Sequence, residues 1–546
     1  MQTQTFRAIV IVLVIGLINN HQTNSANVLA FITDHSASHC IIMDALMAAL
    51  AERNHNVTMV SLCSIKGNNK KETPNYLQLQ LTEKNLYLRD FRNEVKNKIK
   101  NSQKQSTRFS DALKGIEINV QSAHDALEDP ITRSLLDSGQ QFDLFILGWS
   151  FNDFLLGLAA HFKCPSIVLH TVATTKTIRD FVASPAAFQS NYASGIVHGQ
   201  TEITYWKRIL FFCEHVIEFV MVHFYDHFSL RPYYNRHFPA TKGYPSFGDV
   251  KKNVSLVFVG HHFSQGGIRP SVPNLVEIGG IQIKSKSDPL PQNIEEFFTD
   301  TNDHGVILFS LGTNINSADF SPEKLTSILN VFSSIDQKVI WKWDGDEIPL
   351  NTPKNVLMEE WIPQADILAH PNIRLFVSHC GLGSVTEAMY HAVPILGIPF
   401  IYDQHINAVK IAEEGWAIHL PYDNITTESF SSAVQEMLTN QTYALRVKHL
   451  STLYKDRPQT ALETAVYWTE YVIRHRGAAH MQFPLVHMNF VQQNSLDVLL
   501  FYVAAVFLLY KICKKLLQKR SLWIIFVAFF NIDTVFDWAD IDISMY

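Results

Sequence analysis

The chain has 546 residues, with 45 Lys and Arg against 51 Asp and Glu and a net charge of −6. Its 23 Gly and 21 Pro are too few for a collagen-like or low-complexity chain. A mildly acidic balance with no basic block in the body excludes the electrostatic footprint of nucleic-acid binding, and the length suffices for two large α/β domains.

Residues 8–18 (AIVIVLVIGLI) form an unbroken apolar run behind one charge, Arg7, and ahead of the small pair Ser25-Ala26. This is the pattern of a secretory signal, which we place at 1–26. From residue 27, short β-type runs at 27–32, 56–62, 142–147 and 166–170 alternate with helical spacing at 44–53 and 154–162. The Lys/Asn/Gln-rich stretch 66–105 reads as an insertion or a solvated helix pair. A second alternating series has strands at 306–310, 338–343, 355–358, 374–378 and 394–397, with a helix at 384–391. Between the two, residues 284–292 (KSKSDPLPQ) make the natural linker. The expected fold class is α/β: two doubly wound domains, 27–283 and 293–494, with ligands at the carboxyl ends of the strands.

Residues 496–513 (LDVLLFYVAAVFLLYKIC) are the best membrane span, and Lys511, Lys514, Lys515, Lys519 and Arg520 fix the cytoplasmic side. Signal and span together predict a single-pass type I protein with a lumenal body and a cytosolic tail at 514–546. The short apolar run 522–530 has no assigned role. N-x-S/T sequons at Asn56, Asn253, Asn424 and Asn440 suit a lumenal body. The six cysteines show no zinc spacing, and at most one disulfide is expected.

The densest polar constellation is 361–404, WIPQADILAHPNIRLFVSHCGLGSVTEAMYHAVPILGIPFIYDQ. Here a strand ends at His379, a glycine-bearing turn through Gly381 and Gly383 follows, and Ser384 opens a helix. Backbone N–H groups and a helix dipole presented this way suit a diphosphate. The pattern is neither GxGxxG nor a Walker loop. Ser384-x-x-Glu387 has two readings: a capping box, or a carboxylate that accepts from ribose hydroxyls. His35 and His39 could form two-thirds of a metal site, but no third ligand stands at sensible spacing. Asp344-Gly345-Asp346 and Asp540-Ile541-Asp542 read as solvated turns rather than metal-binding DxD motifs.

Trp361-x-x-Gln364, Ser378-His379-Cys380-Gly381, Ser384-x-x-Glu387, Pro394, Pro399 and Asp403-Gln404, at these intervals, resemble the signature of the UDP-glycosyltransferase family. Asn152-Asp153 with the run 155–159 looks most like arthropod members. The resemblance implies a GT-B fold of two Rossmann-like domains facing across a cleft. It implies that Trp361 stacks on uracil, Gln364 lies near the ribose and Glu387 binds the ribose hydroxyls. His379, Gly381 and Ser384 would contact the diphosphate, with Ser310 and Thr313 completing that site. Asp403 and Gln404 would hold the transferred sugar. Gly383 departs from the many relatives that carry a larger residue there.

In the acceptor half the resemblance makes His39 the catalytic base. An alcohol or phenol must lose a proton as it attacks the anomeric carbon, and imidazole titrates near neutrality. The expected orienting acid is Asp153; an acidic position of many relatives, five residues earlier, is Gly148 here. The implied reaction is inverting transfer of glucose or glucuronate from a UDP-sugar to a small lipophilic acceptor. It needs no metal or cofactor, and UDP-glucose or UDP-glucuronate serves as co-substrate. The expected location is the endoplasmic reticulum membrane, and a homo-oligomer is left open. Alternatives are a non-catalytic sugar-nucleotide or lipophile-binding relative and, further off, a metal-dependent glycosyltransferase of another fold.

Overall fold

The computed structural model describes residues 25–63, 74–82, 84, 86–101, 109–184, 204–265, 270–299, 304–401 and 403–518. The apolar runs 8–18 and 522–530, Lys519, Arg520 and residues 540–542 lie outside the described residues. Contacts divide the chain into one unit, Met1–Phe483, and a second, Pro484–Tyr546.

The first unit holds two parallel sheets. The seven strands of the first are β1 (Asn27–Ile32), β2 (Asn56–Ser61), β3 (Tyr76–Gln80), β4 (Leu144–Gly148), β5 (Ser166–His170), β6 (Val254–Val259) and β7 (Leu275–Glu277). Their order is β3-β2-β1-β4-β5-β6-β7. The second sheet has β8 (Val306–Ser310), β9 (Lys338–Lys342), β10 (Val356–Glu359), β11 (Ile373–Ser378), β12 (Ile395–Gly397) and β13 (Ala417–His419), in the order β10-β9-β8-β11-β12-β13. The central strands are apolar without alternation because helices cover both faces. In β1, Val28, Ala30 and Ile32 enter one core while Leu29 and Phe31 enter the other.

The strand order reverses between β1 and β4, and again between β8 and β11. In doubly wound sheets the crevice for a ligand opens at such a reversal, beyond the carboxyl ends of the strands. Three helices border that crevice, α1 (Ala37–Glu52), α2 (Leu86–Lys100) and α4 (Leu382–Tyr390), while no described residue of α3 (Tyr205–Tyr225) lines it. One disulfide, Cys40–Cys63, ties the first turn of α1 to the segment after β2.

Two expectations need correction. The stretch 66–105 contributes β3, which pairs in parallel with β2 over Tyr76–Gln80. Its exposed Gln78 and Gln80 carry no buried-strand signal. The helix expected at 44–53 begins at Ala37, behind the Asp34–Ser36 turn. The two halves of the unit also exchange helices. After α5 (Gln404–Glu413), helix α6 (Ala461–Arg474) buries Ala465, Val466 and Val472 in the first sheet's core, beside Leu46 and Leu50. In the opposite direction, α2 places Ile99 in the second sheet's core, and Lys96 pairs with Asp319 at 2.8 Å.

The α6 crossover carries a buried carboxylate, Glu470, which accepts from Arg53 Nη2 at 3.1 Å and lies 3.5 Å from His55 Nε2. The sequons begin or flank elements at the surface: Asn56, Asn253 and Asn424 are exposed, and Asn440 caps a helix by accepting from the Thr442 N–H.

In the second unit, α7 (Leu496–Gln518) contains a candidate span, Leu496–Leu516, with mean hydropathy 2.1 and none of its apolar window buried. Twenty-one residues reach about 30 Å at 1.5 Å each, the thickness of a bilayer core.

Truncating Glu470 to Ala should destabilise the first unit by about 2 kcal/mol, because His55 loses a buried partner. Thermal unfolding of the detergent-solubilised chain measures this, and Glu470→Gln should recover part of the loss.

Candidate functional site

The two reversals open into one cavity of about 1560 Å³ lined from both halves. On the first sheet, the chain leaves β1 through Thr33 and Asp34 into α1. The Asp34 carboxylate accepts from the Ser36 N–H (2.7 Å), so the turn itself aims the acid. Its other oxygen, Oδ2, lies 2.7 Å from His39 Nδ1 and accepts from Ser150 Oγ at 3.0 Å.

Burial would raise the Asp34 pKa, but the charge and hydrogen bond of His39 overcome it and hold the group at about 2. Burial would likewise depress His39, yet Asp34, with a smaller contribution from Asp403, raises it above the ordinary 6.5. With Nδ1 engaged by Asp34, His39 presents Nε2 to the cleft. A histidine oriented by a buried carboxylate is the arrangement of a general base.

Asp153, expected in that role, is elsewhere. It is fully buried, accepts from Trp149 Nε1, and pairs with Lys251 Nζ at 2.8 Å. Lys251 also bonds Asp226 at 2.7 Å. Asp153 therefore fixes the Trp149 indole, which lines the cavity, rather than His39. Neither can Gly148 host the acid: a Cβ there would stand 2.8 Å from Ile32 Cγ1. Sequence reasoning missed Asp34 because a single carboxylate after a strand has no spacing signature. Its one clue was its place at the carboxyl end of β1.

On the second sheet, His379 follows β11 and is buried between two glycines. A Cβ on Gly312 or Gly381 would meet its ring at 2.7 or 2.6 Å, so both positions require glycine. Burial, reinforced by the Lys342 charge, lowers the His379 pKa to about 4. It is therefore a neutral hydrogen-bonding group at physiological pH. Ser310 accepts from the Gly312 N–H at 3.4 Å, and Thr313 lines the same corner.

Helix α4 starts behind Gly381 with no side-chain cap, which disposes of the capping-box reading. Glu387 instead accepts from Gln364 Nε2 (2.8 Å) and Gln282 Nε2 (3.3 Å), and Gln364 also donates to Ser384 Oγ at 3.1 Å. Burial raises the Glu387 pKa. Gly383 is open: a Cβ there would meet only Gln282 Nε2, at 3.9 Å. Trp361 is 40% exposed on the cavity wall, a free ring face rather than core packing.

Asp403 stands at the start of α5, with Oδ2 accepting from Asn407 Nδ2 at 2.7 Å, and burial raises its pKa. Its charge reaches His39 across the cleft. Gln404 differs from expectation in part. Its Oε1 accepts from the Phe400 and Ile401 N–H groups (2.9 and 3.0 Å), leaving only the amide NH2 to offer. Asp344 is not a free turn residue either, since Lys342 donates to its Oδ1 at 2.6 Å.

Replacing Asp34 by Asn removes the attraction that opposes burial, so the His39 pKa should fall below 6.5. Asp153→Asn should leave it in place. Histidine-selective NMR titration of both variants, with His39 assigned by His39→Gln, tests this.

Comparison with known proteins places the chain in a family. Residues 26–523 match the family model described as UDP-glucoronosyl and UDP-glucosyl transferase. A UDP-glycosyltransferase, UGT4, of Dactylopius coccus is 32% identical over 88% of this chain and 93% of its own length. UDP-glucosyltransferase 2 of the same insect is 31% identical over 94% and 97%. A UDP-glucuronosyltransferase of Pleuronectes platessa is 37% identical over 45% of this chain and 52% of its own. Among solved structures, TcCGT1 in complex with UDP superposes with a TM-score of 0.54 at 14% identity, over 83% of this chain and 100% of that one. That likeness shows the GT-B fold. The chain belongs to the UDP-glucuronosyl and UDP-glucosyl transferase family of enzymes.

Proposed function

We propose that the protein is a membrane-anchored, inverting UDP-glucosyltransferase that conjugates a hydroxyl of a small lipophilic acceptor. The observation that carries this reading is the His39–Asp34 pair facing Asp403, with the His379–Ser384 anion cradle on the opposite wall.

In this reading Trp361 stacks on the uracil, and Glu387, poised by Gln364 and Gln282, accepts from the ribose hydroxyls. Gly381, Ser384 and the amino end of α4 meet the diphosphate, with His379, Ser310 and Thr313 beside it. The acceptor oxygen attacks the anomeric carbon as its proton passes to His39 Nε2. The bond from that carbon to the diphosphate oxygen breaks, and UDP leaves with the electron pair. Asp34 stabilises the imidazolium, while the cradle stabilises the developing diphosphate charge. No step is routed through a metal or cofactor.

The sugar corner favours a neutral hexose over a uronate. Asp403 is the acid at that corner, and of the lysines lining the cavity Lys342, Lys96 and Lys284 pair with Asp344, Asp319 and Asp288. A uronate carboxylate beside Asp403 would meet like charge. The similarity to UDP-glucosyltransferase 2 over nearly the full length of both chains points the same way. The exposed apolar helix Leu496–Leu516 supports anchoring in a membrane. In this reading the membrane is the endoplasmic reticulum, and Lys511, Lys514 and Lys515 at the far end of the helix favour a lumenal body.

Microsomes expressing the chain, given a mixed phenol panel, should release UDP from UDP-glucose and much less from UDP-glucuronate. His39→Ala should abolish release without preventing UDP binding. Binding without turnover by the native chain would instead favour a non-catalytic sugar-nucleotide-binding protein. Because His39 must be unprotonated to act, kcat/KM should fall as pH drops through its raised pKa. In Asp34→Asn that fall should move to lower pH, with kcat reduced about 100-fold or more.

A further inference from the structure

Helix α3 is built with its polarity reversed. Its inward side carries His215 and Glu218, both largely buried and 3.5 Å apart, and the Glu218 carboxylate accepts from the Lys176 N–H at 3.3 Å. The outward side is apolar. Trp206, Leu210, Ile217, Val220 and Phe224 recur at helical spacing, and Phe228 extends the stripe into the next turn. Trp206 is 75% exposed and Ile217 and Phe224 are each 59% exposed. A monomer in water does not leave so long an apolar stripe open while turning its charged groups inward.

We propose that this face of α3 is a second membrane contact, lying in the boundary between headgroups and acyl chains. The proposal rests on α7 anchoring the chain in the bilayer. Only residues 484–495 separate the first unit from that helix, a stretch that spans at most about 40 Å when fully extended, so the body never leaves the neighbourhood of the bilayer. At the amino end of α3, Tyr205 and Trp206 supply aromatic rings of the kind that settle at a membrane interface. Exposed Arg208 follows two residues later, a long cationic side chain able to reach headgroup phosphates. A helix of this composition lies in the plane of the membrane with its apolar face about 5–10 Å deep. Such a contact fixes the orientation of the first unit as well as its distance from the bilayer.

Cys213 lies exposed on the same helix. The other exposed free thiol among the described residues is Cys513, while Cys164 and Cys380 are buried. Full-length Cys513→Ser protein labelled at Cys213 with an environment-sensitive fluorophore, in phosphatidylcholine nanodiscs, tests the contact. The emission should shift to shorter wavelength. It should be lost more to a lipid spin-labelled near the head of its acyl chain than to aqueous iodide. Introducing Ile217→Glu and Phe224→Glu, both outward-facing, should reverse both effects while the chain stays in the disc. Water-like emission quenched by iodide would overturn the proposal. A blue shift without lipid quenching would assign the face to a protein partner or a second copy instead. Failure of the chain to enter the disc at all would remove the anchor and this contact together, whatever the transfer activity measured separately.

Discussion

The constraint on which everything else depends is that two parallel sheets, each reversing its strand order once, open their reversals onto a single cleft. Parallel strands deliver their carboxyl ends to one edge. Whatever comes after β1 and β4 on one side, and after β8 and β11 on the other, is therefore forced into the same space. Asp34 and Trp149 come from the first pair, Ser310 and His379 from the second. Topology brings each set to the mouth of its own sheet, the exchanged helices hold the two mouths together, and local turns then set the aim.

Those local turns explain which parts of the site were legible beforehand. The doubly buried strands announce themselves as apolar runs, and β1, β5 and β8 begin and end where the sequence places them. Much of the expected donor side stands out because the residues from Trp361 to Gln404 lie within one stretch of forty-four, so their intervals are a signal, while Ser310 and Thr313 come from an earlier turn. Glu387 remained ambiguous until Gln364 and Gln282 were seen to hold it, one of them from a remote segment. The acid partner of His39 was misread for a related reason. Asp153 looks free in sequence because Lys251, which neutralises it, is nearly one hundred residues away. Asp34 looks incidental because its importance lies in a turn geometry, not in a spacing.

The domain arrangement was obscured by the same kind of distance. A chain that alternates strand and helix twice reads as two consecutive domains. Yet α2 is buried in the second core and α6 in the first. Each half thus lends the other a helix, and Glu470 with Arg53 closes one of the two exchanges. These crossings hold the walls of the cleft in register. The dependence of base on donor site through Asp403 requires that register, since an interaction between charges weakens as their separation grows.

The crowding at Gly148 limits what its strand can carry. Ile32 fills the volume that a side chain at 148 would need, and it does so from the strand that leads directly to Asp34. An acidic side chain at 148 is therefore admissible only where residue 32 is trimmed. The volume of residue 32, on the strand whose end aims Asp34, thus sets whether β4 has room to carry an acid beside the one that β1 already supplies.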